Sequence, residues 1–192
     1  MLSLDNSLFY FFFNIGQKLN ANWFFIFLAS YLPYFIIALF LYLIYSQKEI
    51  KKRFYFLGFC LLLIVLSRGV ITETIRYFYP RLRPFLALNL SPMIVDNAPS
   101  FPSGHTTFLF SVALCAFLLS RKWGWILSAA SLISVVSRIV AGIHWPSDIL
   151  GGIIISGLVF VLLYYLLLPP SKILETESLQ KEEEKESLNQ TN

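Results

Sequence analysis

A chain of 192 residues that is 57% hydrophobic, 17% aromatic and only 14% charged carries more apolar side chain than one water-soluble domain can bury; such domains run nearer about 45–50% apolar and about 25% charged. The mean hydropathy of +0.67 agrees, so composition excludes a disordered chain, a disulfide-stapled secreted scaffold and an ordinary cytosolic enzyme, and leaves a multi-span membrane protein. The net charge of +4 divides unevenly: residues 1–171 hold 12 Lys/Arg against 5 Asp/Glu, and residues 172–192 hold 3 against 6. The basic character therefore belongs to the membrane part, and the acidic end reads as a solvated, flexible tail.

In chain order, the first apolar run is Leu8 to Phe13. It is too short to cross a bilayer and leads into Asn14, Gln17, Lys18 and Asn20, which suits a helix lying in the interface; a sixth span is the alternative. No basic segment precedes this run and no small-residue cleavage site follows it, so no cleaved signal peptide is expected. A crossing helix needs about 20 apolar residues for a hydrocarbon core of about 30 Å. Residues 23–45 supply them without a charge, with Pro33 as a kink site. The second span starts at residue 54, runs uncharged to Ser67, meets Arg68 and continues to Thr72. Spans at 103–120 and 123–142 are separated by the basic turn Arg121-Lys122, and 149–171 makes the last. The fold class is all-α, a polytopic membrane helix bundle of about five crossing helices plus the N-terminal one, with residues 1–171 as one membrane-embedded domain. Cys60 and Cys115 both lie in apolar runs and read as packing residues.

Short loops rich in Lys and Arg stay in the cytoplasm. Lys48, Lys51, Lys52 and Arg53 fill the first loop, Arg121-Lys122 the third, and Lys172 follows the last span. The tail is then cytoplasmic, and segments 73–102 and 143–148 meet on the opposite face. Those two outer segments hold most of the remaining polar chemistry. Three patterns stand out: Arg76-x6-Arg83-Pro84, then Pro102-Ser103-Gly104-His105, then Ser137-Arg138-x5-His144-x3-Asp148. Arg68 lies outside them and reads as pairing with Glu73 or snorkelling to headgroups. Tyr77, Phe78, Tyr79, Phe85 and Trp145 read as an interfacial aromatic belt.

The order and spacing of the three patterns resemble the type 2 phosphatidic acid phosphatase superfamily, the lipid phosphate phosphatases and their relatives among vanadium haloperoxidases and bacterial acid phosphatases. That signature runs Lys-x6-Arg-Pro, Pro-Ser-Gly-His and Ser-Arg-x5-His-x3-Asp, so the one departure is Arg76 for Lys, which keeps the charge and changes its shape. The resemblance covers residues 54–168. It implies a membrane enzyme that removes phosphate from a lipid monophosphate or diphosphate: a polyprenyl diphosphate such as undecaprenyl diphosphate, phosphatidate or phosphatidylglycerophosphate. It also implies a phosphohistidine intermediate, with no metal and no other cofactor. Many polyprenyl-diphosphate members carry Asp where this chain has Gly104, whereas the chain's compact size favours a polyprenyl diphosphate. The partners are the lipid phosphate and the bilayer, with no nucleic acid. A lipid phosphotransferase of the same superfamily and a non-catalytic anion transporter or channel are the alternatives.

The residues make the same chemical sense on their own. Pro102 and Pro146 suit first turns of helices, whose free N–H groups and positive dipole ends favour an anion. Arg76, Arg83 and Arg138 add guanidinium forks that match phosphate oxygens, and backbone N–H groups of Ser103, Gly104 and His105 complete a phosphate cradle. Asp148, near the third position of its helix, reaches back to fix the tautomer of His144, the candidate nucleophile. His105 is the candidate general acid for the leaving oxygen.

Overall fold

The computed structural model describes residues 2–167; the tail expected at 172–192 lies outside the described residues. Among the described residues, every regular element is helical. They are α1 (Leu2–Leu19), α2 (Asn22–Ser30), α3 (Leu32–Tyr45), α4 (Ile50–Ile64), a π-helical segment (Val65–Ile71), α5 (Thr72–Phe78), the single turn α6 (Pro84–Ala87), α7 (Gly104–Leu119), α8 (Arg121–Val140) and α9 (Pro146–Leu167). Asn22–Tyr45, Ile50–Phe78, Arg121–Val140 and Pro146–Leu167 are long and apolar enough to cross a membrane, and α7 is a shorter apolar helix of 16 residues. The chain is an integral membrane protein built as an all-α bundle.

Three features differ from the sequence reading, each for a physical reason. The N-terminal helix is 18 residues long and extends beyond both ends of the apolar run Leu8 to Phe13. Phe9 and Phe13, four apart and therefore on one helix face, are buried, with Phe9 5.3 Å from the Trp145 ring. Its polar residues Asp5, Asn6, Asn14, Gln17 and Lys18 keep α1 out of the runs apolar enough to cross. The second span continues unbroken to Phe78, which puts Arg76 in the last turn of a helix instead of an outer loop. The aromatic belt divides: Tyr77 and Phe78 are exposed, whereas Phe85 and Trp145 are buried and belong to the packing beneath the site.

α7 is the axis of the bundle, packed against α8, α9, α4 and α3. Small side chains permit this, because without a hydrophobic drive inside lipid, helices associate through close backbone approach and interhelical hydrogen bonds. Ala113 and Ala116 on α7 are fully buried, as are Ser131 and Ser134 on α8, and the Ser131 hydroxyl lies 3.4 Å from the Leu109 carbonyl. A polar column pins the π-helical segment to the same axis. The Ser67 hydroxyl donates to the Leu63 carbonyl at 2.6 Å and pairs with the Ser111 hydroxyl at 3.0 Å, while the Thr72 hydroxyl lies 2.9 Å from the Ser67 carbonyl and 3.3 Å from Thr107 Oγ1. The widened turn thus has its loosened backbone satisfied by side chains.

The first crossing run breaks at Tyr31, and Pro33 supplies the cause. A proline has no N–H for the carbonyl four residues earlier, which here is Ala29. That carbonyl accepts instead from Arg138 Nη1 at 3.2 Å. The expected kink therefore does more than bend a helix: it opens an acceptor for a guanidinium buried inside the bundle.

Candidate active site

The turn from α8 into α9 explains the spacing of the third pattern. Gly142, at φ +84°, occupies the left-handed position just beyond the helix end. Its N–H donates to the Ile139 carbonyl at 2.9 Å and the next N–H, of Ile143, to the Arg138 carbonyl at 3.1 Å, the two bonds of a Schellman motif. Pro146 then starts α9 with φ already set. Asp148, third in that helix, accepts the Trp145 N–H at 2.8 Å as the acidic residue of a capping box does. Two caps back to back bring Arg138, His144 and Asp148 to one spot.

His144 is fully buried, and its ring is held at both nitrogens. Nδ1 lies 3.2 Å from Asp148 Oδ2. A carboxylate only accepts, so Nδ1 carries the proton and Nε2 holds the lone pair. Nε2 faces Arg83 Nη1 and Ser103 Oγ, both at 3.3 Å. Burial pushes the imidazole down to about 4, further lowered by the guanidinium charges of Arg138 and Arg83 and opposed by the hydrogen bond and charge of Asp148. The ring is therefore neutral at neutral pH, with Nε2 unprotonated.

Asp148 is the hub of this arrangement. Besides His144 and the Trp145 N–H, its carboxylate accepts from the Ser100 hydroxyl and from Arg81 Nη1, the latter at 2.8 Å. Arg81 reaches on to Asp5 of α1, Nη2 to Oδ2 at 2.7 Å, and lies over the Trp145 ring. Asp5 also accepts the Ser147 N–H at 3.0 Å and the Ser147 hydroxyl at 2.6 Å. The sequence reading missed Asp5, Arg81 and Ser100. Arg81 lies inside the first pattern and was visible there as an unassigned charge; nothing near Asp5 signals a partner 76 residues away.

The arginines do not act alike. Arg83 is the one in contact with His144; it also donates to the Ala98 and Ile143 carbonyls, both at 2.8 Å, and pairs with Asp96 at 2.7 Å. Burial lowers its pKa, partly offset by Asp96. Arg138 has Asp96 at 3.8 Å, and its Nε is buried with no partner among the described residues. Arg76 is spent mainly on structure: Nε and Nη2 hold the Pro102 carbonyl at 3.2 and 3.0 Å, and Nη1 reaches Glu73 at 3.4 Å. Asp96, another residue missed from sequence, lies between Arg83 and Arg138. Burial alone would raise its pKa, but the Ala98 N–H, Arg83 and Arg138 hold it below the usual carboxylate range.

The second pattern sits differently from expectation. Pro102 precedes the helix instead of standing in its first turn, and Ser103 caps α7, with its hydroxyl 3.4 Å from the Thr106 N–H. Its own N–H is taken by the Asp148 carbonyl at 3.1 Å, so Ser103 offers a hydroxyl and not an amide to the cradle. The N–H groups of Gly104 and His105, in the first turn of α7, have no intrahelical acceptor. His105 is exposed, on the wall of a cavity of about 240 Å³ that it shares with Arg68, Gly104 and Phe108. Arg68 pairs with Glu73, as read from the sequence.

A buried His–Asp pair beside an arginine-rich cradle, set at the ends of membrane helices, defines a membrane-embedded phosphatase. Residues 57–170 match the PAP2 superfamily, and the chain belongs to that family. It is 31% identical over 144 residues to an undecaprenyl-diphosphatase of Sulfolobus acidocaldarius, covering 72% of this chain and 67% of the relative. It is 30% identical over 134 residues to the bacitracin transport permease protein BcrC of Bacillus licheniformis, covering 68% of this chain and 64% of the relative. The chain thus spans about two thirds of the length of these relatives. Among solved structures, Aquifex aeolicus LpxE superposes with a TM-score of 0.64 at 27% identity, over 83% of this chain and 93% of that one.

Proposed function

We propose that the protein hydrolyses the terminal phosphate of a lipid phosphate, preferably a lipid diphosphate, through a phosphohistidine formed on His144, at the extracytoplasmic face of the membrane. The observation that carries this is the Nε2 lone pair of a buried, neutral imidazole whose Nδ1 is locked by Asp148. Nε2 attacks phosphorus, the bond to the leaving oxygen breaks, and that oxygen takes a proton from His105. Water then attacks the phosphohistidine, returns a proton to His105 and releases inorganic phosphate. Arg83, the free Nε of Arg138, the Ser103 hydroxyl and the N–H groups of Gly104 and His105 face the charge that builds on the phosphoryl oxygens. A donor of this kind contributes about 3–4 kcal/mol where it can be removed cleanly.

The lipid character of the substrate is supported by the placement of the site at membrane-helix ends, and the diphosphate by the name of the Sulfolobus relative. The face is supported by charge: Lys48 to Arg53 and Arg121-Lys122 lie at the helix ends remote from His144. The test uses purified protein in detergent with EDTA and short-chain phosphatidate or farnesyl diphosphate. Free phosphate is expected in amounts equal to the lipid consumed, falling by on the order of 10⁴-fold or more in His144→Ala. A phosphorylated second lipid in place of free phosphate would mean a phosphotransferase. Turnover unchanged in His144→Ala, or none in the wild type, would leave a transporter as the better reading.

A further inference from the structure

We infer that Arg68 forms a second phosphate subsite on the leaving-group side of His105, which holds the lipid-linked phosphate of a diphosphate substrate. This rests on the roles given to His144 and His105 above. An arginine within a membrane span is costly to keep and normally paired. Arg68 is only half paired. Nη1 donates to Glu73, and among the described residues nothing accepts from its other N–H groups. Glu73 is itself shared with Arg76 at 3.4 Å, so two guanidinium charges face one carboxylate and one positive charge is left over.

The leftover charge has a defined outlook. Arg68 lines the cavity of about 240 Å³ together with His105, and the remaining wall is largely apolar, including Pro33, Tyr34 and Phe108. The guanidinium stands against Gly104, where a Cβ would come within 2.5 Å of Arg68 Nε and 2.8 Å of Cζ. Glycine at 104 is thus what allows Arg68 to reach the first turn of α7, beside the residue that protonates the leaving oxygen. For a monophosphate, that oxygen belongs to an alcohol and brings no charge into the cavity. For a diphosphate it belongs to a second phosphate, an anion that Arg68 is placed to bind before and after the bond breaks. The larger cavity nearby, about 450 Å³ between Leu4, Leu8, Tyr79 and Phe101, has no such donor, since its polar residues Asp5, Arg81 and Ser147 bond to one another.

The test measures kcat/KM for farnesyl diphosphate and for short-chain phosphatidate in the wild type, Arg68→Gln, Arg68→Lys and Gly104→Ala. Arg68→Gln is expected to lower the diphosphate-to-phosphatidate ratio about 30-fold, with part of it restored by Arg68→Lys. Gly104→Ala, which displaces the guanidinium without deleting it, lowers the same ratio. Equal losses on both substrates in every variant, or an unchanged ratio in Arg68→Gln, would overturn the subsite while leaving the hydrolase reading intact. A wild type that releases phosphate from neither substrate overturns both.

Discussion

The two histidines of the site stand in opposite surroundings. His144 is buried, bonded at both ring nitrogens and backed by a carboxylate that itself has four partners. His105 is exposed on a cavity wall, beside Arg68, whose partner among the described residues is Glu73. In the roles proposed for them, the difference follows from what each would meet. A nucleophile gains from being fixed before the substrate arrives, because preorganised groups cost nothing to orient at the moment of reaction. The leaving-group side has to admit a bulky lipid and cannot be packed shut.

The largest expected effect comes from loosening the rigid side. Asp148→Asn removes the charge that stabilises a positive imidazolium and can present its amide to Nδ1 in the wrong sense, so kcat falls about 10³-fold, with KM changed far less. The sign of the accompanying titration is fixed. Asp148 raises the His144 pKa against burial, so its loss moves that pKa lower still, away from the value of about 4. The chain has two histidines, so nitrogen-15 NMR of the His105→Asn protein reports His144 alone. Nε2 should stay unprotonated as pH falls through 6.5, the usual imidazole value, and take up its proton near pH 4. Protonation near 6.5 would show that the ring is not held as described.

How much of this was legible beforehand depended on how local each contact is. Ser137-Arg138-x5-His144-x3-Asp148 could be read because its spacing is that of a helix end, a glycine turn and a capped helix start, all within twelve consecutive residues. The cradle was legible only as a set of charges: sequence could not tell that Arg76 holds the Pro102 carbonyl or that the Ser103 N–H is taken by Asp148. The π-helical segment adds no apolar or polar break, since one wider turn leaves hydropathy unchanged. Asp5 and Asp96 lie in stretches without a repeating pattern, and their partners are fixed by tertiary packing alone.

Asp5 offers a middle-sized test of the same contrast. Among the described residues it reaches the site through Arg81 and the start of α9, which makes it a positioning residue. Asp5→Asn keeps the shape and removes the charge that steadies Arg81 against Asp148. The expected result is a kcat about tenfold lower with KM nearly unchanged, the range typical of partners that orient a reacting group from outside it. A loss confined to thermal stability, with kcat intact, would mean that α1 merely packs against the bundle.

The smallest expected effect concerns Asp96, the carboxylate between Arg83 and Arg138. At 2.7 Å from Arg83 and 3.8 Å from Arg138, it occupies part of the coordination that phosphoryl oxygens would claim. Removing its charge leaves Arg83 buried without a counter-ion, a state that an incoming anion relieves. Asp96→Asn is therefore expected to bind inorganic phosphate or vanadate about fivefold more tightly, measured as competitive inhibition, because roughly 1 kcal/mol of competing ion pairing is lost at a partly exposed carboxylate. The same change slows product release, so kcat declines slightly while KM falls. Weaker inhibition in the variant would show that Asp96 holds the arginines in place for phosphate instead of competing with it, and the rigid side of the site would then extend to Asp96.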